Sequence, residues 1–138
     1  MMRTVLVDTN IILDILGQRL NFYEESQDFF TFALENKIEL IVSTLSFANT
    51  HYILSEQLKQ TDVRNTLRKF KTLVSVATFD DTILELSLGD DFNDFEDGIQ
   101  YFTALEYSCQ AIVTRNKKDF KNSQISILSP KEFLSLVG

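Results

Sequence analysis

The residues in this sequence that are able to do chemistry are carboxylates and amides, gathered at a few junctions. Asp8, Thr9 and Asn10 follow a short apolar run, and Asn49 lies just over one turn into a later helical stretch. Asp94 and Asp97 open another helical stretch, and Thr114, Asn116 and Asp119 follow a second apolar run. Carboxylates brought together from remote parts of a chain have one common use, holding Mg²⁺ or Mn²⁺. Hard divalent ions take oxygen ligands and keep several waters. Such an ion lowers the pKa of a bound water and stabilises charge as a phosphodiester is displaced. One cysteine, Cys109, and one histidine, His51, exclude an internal disulfide, a cysteine zinc cage and a histidine-rich metal site. A Ser-His-Asp triad is a poor fit for the same reason.

Whether these groups meet depends on the elements that carry them. Residues 4–7 are apolar and β-branched at Thr4, Val5 and Val7, which suits a strand buried on both faces of a parallel sheet. Ile11, Ile12, Ile15 and Leu16 recur at helical spacing, so a helix follows with almost no loop. Asp8 then stands at the carboxyl end of a central strand, the edge where open α/β sheets bind ligands. Helix capping competes with this reading of Asp8, although Thr9 alone could serve as the cap. Further strands are expected over 38–42, 73–77, 111–113 and 125–128, and helices over 22–36 and from 44 to about Lys59. Asp62 can cap a helix with Val63, Leu67 and Phe70 inward and its basic residues outward. Asp80 or Asp81 opens one that ends near Gly89, and Ile99, Phe102, Leu105 and Cys109 build another. Ser129, Pro130 and Glu132 mark the start of a terminal helix. Strands alternating with helices imply an α/β fold with a parallel sheet covered on both faces.

At 138 residues, 44% of them hydrophobic and 24% charged, the chain suits one domain over 1–138. A formal net charge of −7 argues against broad attraction to nucleic acid. Two local basic segments qualify this: Arg64, Arg68, Lys69 and Lys71, and then Arg115, Lys117, Lys118 and Lys121. Each taken alone reads first as a solvated face. The acidic run over 90–97 divides similarly, with Asp90, Asp91 and Glu96 reading as solvated surface. Asp94 and Asp97 also read as the N-cap and third residue of a helix, a role compatible with metal binding. His51 and Tyr52 read as packing or surface residues, and Cys109 as a small buried apolar one. With no secretory signal pattern and no apolar run of membrane-spanning length, a cytoplasmic protein with no membrane contact is expected.

Four stretches taken together, VDTN at 7–10, STLSFANTHYIL at 43–54, DFEDGIQYFTA at 94–104 and IVTRNKKDF at 112–120, carry a resemblance that spans nearly the whole chain. The pattern resembles the PIN-domain nucleases, in particular the toxin branch related to virulence-associated protein C. The resemblance implies a PIN-like three-layer α/β/α sandwich with a central, mostly parallel sheet. It also implies Mg²⁺- or Mn²⁺-dependent cleavage of RNA, a homodimer and a small antitoxin partner. Asp8 matches the family's first acid, with Asn10 or Thr9 as its polar companion. Asp97 matches the third acid, with Asp94 one turn before it. The family usually has a glutamate where Asn49 stands and an aspartate where Asn116 stands, and Asp119 three residues on is a partial substitute. The resemblance thus assigns catalysis to Asp8, Asp97, Asn10, Asn49 and Asn116, and metal binding to Asp8, Asp97, Asp94 and Asp119. Substrate contacts fall to Thr9, Thr114, Arg115, Lys117 and Lys118. Two functions stay open: an endoribonuclease, or a PIN module weakened in catalysis that binds RNA or a protein partner. A phosphoryl-transfer enzyme or receiver domain using Asp8 as acceptor fits poorly, because Asn10 stands where the second aspartate of such phosphatases belongs.

Overall fold

The apolar run near the start of the sequence becomes the middle of the sheet. A computed structural model describes residues 2–58, 62–89, 92–120 and 123–137. Lys59, where a helix was expected to end, the acids Asp90 and Asp91, and Lys121 of the second basic segment lie outside the described residues. Five strands, β1 (Thr4–Val7), β2 (Glu39–Ser43), β3 (Ser75–Ala77), β4 (Ala111–Val113) and β5 (Ser126–Leu128), pair in the order β3-β2-β1-β4-β5. Every neighbouring pair is parallel, with Val5 opposite both Leu40 and Ala111. Between the strands run α1 (Thr9–Leu16), α2 (Tyr23–Glu35), α3 (Thr44–Leu58), α4 (Val63–Lys71), α5 (Asp81–Ser87) and α6 (Phe95–Glu106). A 3₁₀ turn over Lys117–Phe120 and a terminal α7 (Pro130–Val137) complete the described elements.

Strand pleating sorts the core into two layers, because successive side chains point to opposite faces. Val5 and Val7 pack with Ile11, Phe29, Phe30 and Phe133 on one side. Leu6 and Ile112 pack with Tyr101, Ala104, Cys109 and Phe120 on the other. Helices therefore cover both faces, giving the three-layer α/β/α sandwich with a parallel sheet. The chain leaves β1 toward β2 and β3, then returns to the other side of β1 as β4. Strand order reverses there, so a crevice opens at the carboxyl ends of β1 and β4, the usual ligand position in such sheets.

Several element ends differ from the sequence pattern, each through a local hydrogen bond. Strand β3 begins at Ser75, since the amides of Leu73 and Val74 close the last turn of α4 on Phe70 and Lys71. Helix α6 stops at Glu106, short of Cys109. Ser108 takes φ 56°, and the amides of Ser108 and Cys109 bond back to Leu105 and Ala104. This is a Schellman ending built on serine in place of the usual glycine. Cys109 is buried beyond the helix, and that burial pushes its thiol up to about 12. The capping expectations hold for Asp62 and Asp80, and Ser129 and Glu132 exchange bonds as a capping box.

Candidate active site

Asp8 ends β1 and caps α1, with extended φ −72° and ψ 155°. Its carboxylate is only 7% exposed and takes four donors. Thr9 N at 2.8 Å and Gln100 Nε2 at 3.0 Å donate to Oδ1. Thr114 Oγ1 at 2.8 Å and Asn10 Nδ2 at 3.3 Å donate to Oδ2. A carboxylate offers about four lone-pair sites, so the fold itself fills them. Capping and a place in the crevice are therefore both true of Asp8. Thr9 is not the cap: it is the first helical residue, and its Oγ1 lies 2.8 Å from Ser46 Oγ on α3. Ser46 Oγ also accepts from Gln100 Nε2 at 2.9 Å. One buried carboxylate thus ties β1, α1, β4 and α6 together, and Ser46 adds α3.

The segment after β4 wraps onto the same network. Asn10 Oδ1 accepts from Arg115 N at 3.2 Å, and Thr114 Oγ1 accepts from Asn116 N at 3.1 Å. Arg115 is held inside the fold: its Nε donates to Asp14 Oδ2 at 2.7 Å, and its guanidinium sits 4.1 Å from the Phe22 ring centre. Asp14 is fully buried, one helical turn beyond Asn10, and also accepts from Ser26 Oγ at 3.3 Å. Lys117 Nζ pairs with Glu132 Oε2 at 2.9 Å, and this bond leads in holding the Glu132 carboxyl below its usual range. Lys118 is exposed on the same turn.

The α6 side of the crevice is differently built. Asp94 is the N-cap, its Oδ1 accepting from Glu96 N at 2.8 Å and Asp97 N at 3.2 Å. Asp97 is half-buried, and its pKa is pushed up to about 7 by that burial first. The negative charges of Asp94, Asp8, Asp119 and Glu96 add to the shift in that order. The four sequence-assigned acids therefore share one electrostatic field. Phe92 helps hold this arrangement, packing 4.9 Å from Tyr101 on α6 and 6.2 Å from Phe120 at the end of the 3₁₀ turn that carries Asp119. Asn49 Nδ2 donates to Glu96 Oε1 at 3.1 Å, so Glu96 belongs to the site and not merely to the surface.

These groups open on a cleft of about 380 Å³. Asp8, Thr9, Asn10, Asn49, Asp97 and Asn116 line it, as do Glu96, Gln100 and Tyr52, which sequence reasoning had left without a role. Asp94, Thr114, Arg115, Lys117, Lys118 and Asp119 stand behind or beside that lining. Among the described residues, no three His, Cys, Asp or Glu side chains are spaced as a ready-made metal cage. The donor set is nonetheless all oxygen, and a carboxylate crowded by other acids, as Asp97 is, is what a hard cation relieves. Gln100 Oε1, buried and without a partner among the described residues, adds an unused neutral oxygen acceptor. Ser46 and Gln100 had a readable signal: Ser46 is one turn before Asn49, and Gln100 is one turn after Glu96. Asp14, four residues after Asn10, had the same signal.

A family model described as "PIN domain" matches residues 4–118. Ribonuclease VapC1 of Aquifex aeolicus (strain VF5) is 29% identical over 133 residues, 94% of this chain and 92% of the relative. A toxin-antitoxin complex from Klebsiella pneumoniae contains a similarly folded chain, with a TM-score of 0.69 at 22% identity over 91% of this chain and 97% of that one. VapBC2 from Rickettsia felis, bound to a DNA fragment from its promoter, gives a TM-score of 0.65 at 16% identity over 91% and 98%. Among the described residues, no helix is long and apolar enough to cross a membrane.

Proposed function

The chain belongs to the PIN-domain family, and from that premise we propose that it is a Mg²⁺- or Mn²⁺-dependent endoribonuclease, the toxin of a toxin–antitoxin pair. The observation that carries this reading is the meeting of Asp8 and Asp97, far apart in sequence, in one cleft at the strand switch point. The naming of a relative as a ribonuclease and the occurrence of this fold in a toxin–antitoxin complex support it. A bound divalent ion would supply water of lowered pKa and charge stabilisation for phosphodiester displacement.

In this reading Asp8 and Asp97 bring negative charge to the cleft, with Asp94 and Asp119 strengthening the field behind them. Asn10, Asn49 and Asn116 orient ligand or water through amide groups. The Thr9 backbone N–H and the Thr114 hydroxyl keep Asp8 in place, and Asp94 fixes the backbone from which Asp97 projects. RNA lies across the cleft mouth, its phosphates near Lys118 and Lys117. Arg115 serves that path mainly by holding its loop on Asp14. Tyr52, 68% exposed on the rim, offers a ring on which an unpaired base could stack. The working form is a cytoplasmic homodimer of single-domain chains restrained by a small antitoxin.

A second reading, a module that binds RNA or a protein without cutting, is favoured by one observation. All four lone-pair sites of Asp8 are already taken, and amides stand at positions 49 and 116. The two readings separate on purified protein incubated with single-stranded RNA. Cleavage in Mg²⁺ or Mn²⁺ that stops with chelator and is lost in Asp97→Asn supports the nuclease. Retention of RNA without cleavage across both metals and diverse sequences supports the binding module.

A further inference from the structure

A metal site with one firmly engaged carboxylate and amides at two of its expected acid positions is short of charge. Asn49 is where the shortage begins, and its side chain is already committed. Nδ2 donates to Glu96 Oε1 at 3.1 Å across the cleft. We infer that Glu96 is the acid α3 lacks: the second charge of the site has moved to α6, where Glu96, Asp97 and the carbonyl oxygen of Gln100 together receive the divalent cation. This rests on the metal-dependent reading of the cleft proposed above.

Helix geometry makes the trio possible. Residues three and four apart share a face, so Gln100 stands beside both Asp97 and Glu96, and all three line the cleft. Gln100 supplies an observation independent of the acids. It is 3% exposed, and Oε1 has no partner among the described residues. Its orientation is not free to reverse. Nε2 donates to Asp8 Oδ1 and Ser46 Oγ, and a flipped amide would set an oxygen against the Asp8 carboxylate. Buried acceptors are rarely left unpaired, and this one, on a residue of the acidic cleft, would be paired by a cation or its water once a small side-chain shift opens it.

Glu96 is held for this task and not saturated by it. Asn49 fixes one oxygen through a neutral N–H, which leaves Oε2 for the ion. Asn49 is then a positioning residue, holding by hydrogen bond the charge that a glutamate there would carry itself. Asp8, with four donors in place, anchors the strands around the site, while the α6 pair carries most of the ion's countercharge.

The test is Mg²⁺ and Mn²⁺ binding to the full chain, measured by titration calorimetry on wild type, Glu96→Gln, Asn49→Glu with Glu96→Gln, and Asp97→Asn. Glu96→Gln should weaken affinity by about tenfold or more, with Tm in chelator unchanged or slightly raised. Moving the acid back to α3 in the double variant should recover most of that loss. Recovery would not occur if Glu96→Gln had acted only by disturbing the fold. If Glu96→Gln binds both metals like wild type while Asp97→Asn does not, Glu96 is a surface glutamate and this inference falls alone. If folded wild type binds neither metal, the metal-dependent reading falls and takes this one with it.

Discussion

Asp8 and Asp97 border one cleft in opposite electrostatic surroundings. Around Asp8 the fold has placed a donor for every lone pair, drawn from α1, α6 and Thr114 just after β4. Nearby, Asp14 Oδ2 takes Arg115 and Ser26, while its Oδ1 is buried without a partner among the described residues. Around Asp97 the neighbours are other acids, and its proton is held to about pH 7. Buried charge must be compensated, and the two halves do so differently. The β1 side is compensated largely by the chain itself, so its carboxylates are structural. On the α6 side Asp94 and Glu96 take donors, but Asp97 takes none among the described residues, which costs apo stability and leaves room for a ligand.

The largest expected effect separates the halves by stability. Asp8→Ala should cost about 3–5 kcal/mol in chemical denaturation, because it strands several buried donors at once. Asp97→Asn should leave apo stability equal or higher, since it removes repulsion and no hydrogen bond. Both should lack RNA cleavage, so only the stability readout tells them apart. Equal losses of stability would break the comparison.

Next in size is Arg115→Ala. It leaves fully buried Asp14 without its cation, an effect of about 2–4 kcal/mol after allowing for the partly exposed guanidinium. Arg115→Lys should recover only part of this, because a lysine cannot both donate along the Nε direction and stack on Phe22. Full recovery by lysine would mean that charge alone matters there.

Smaller again is the pH response. The folded-state pKa of Asp97 is raised from 3.8 to about 7, so between these values the folded protein holds more protons than the unfolded chain. Apo stability contributed by this group is therefore intact below about pH 4 and declines as pH rises toward 7. With solvent screening of a half-exposed group, the decline should be on the order of 1–2 kcal/mol. Denaturation of wild type and Asp97→Asn in chelator across that range should show the slope in the first and a flatter line in the second.

The two halves were also unequally legible in the sequence. Strand 4–7 ending in Asp-Thr-Asn showed its role because apolar burial and capping are written in adjacent residues. The order of helices and strands followed for the same reason. Glu96, Gln100, Ser46 and Asp14 were not singled out, since each acts through a partner at least a dozen residues away that only the fold brings near. Their spacing along helices was a signal that needed a known neighbour to give it meaning. Arg115 was assigned to phosphate because a cation after a pocket strand looks free until its buried partner is seen. The early end of α6 was hidden because Ser108 takes a conformation that usually advertises itself by glycine.

Thermal unfolding with and without Mg²⁺ at pH 8, on wild type and Asp97→Asn, tests the contrast between the halves most directly. A cation that binds only the folded form stabilises it by about 1.4 kcal/mol at ten times its dissociation constant. Wild type should gain this, and gain less at pH 5.5, where Asp97 holds its proton. Asp97→Asn should gain little at either pH. Equal Mg²⁺ stabilisation of the two proteins, or none in wild type at pH 8, would contradict the account of α6 as the side left open for a cation.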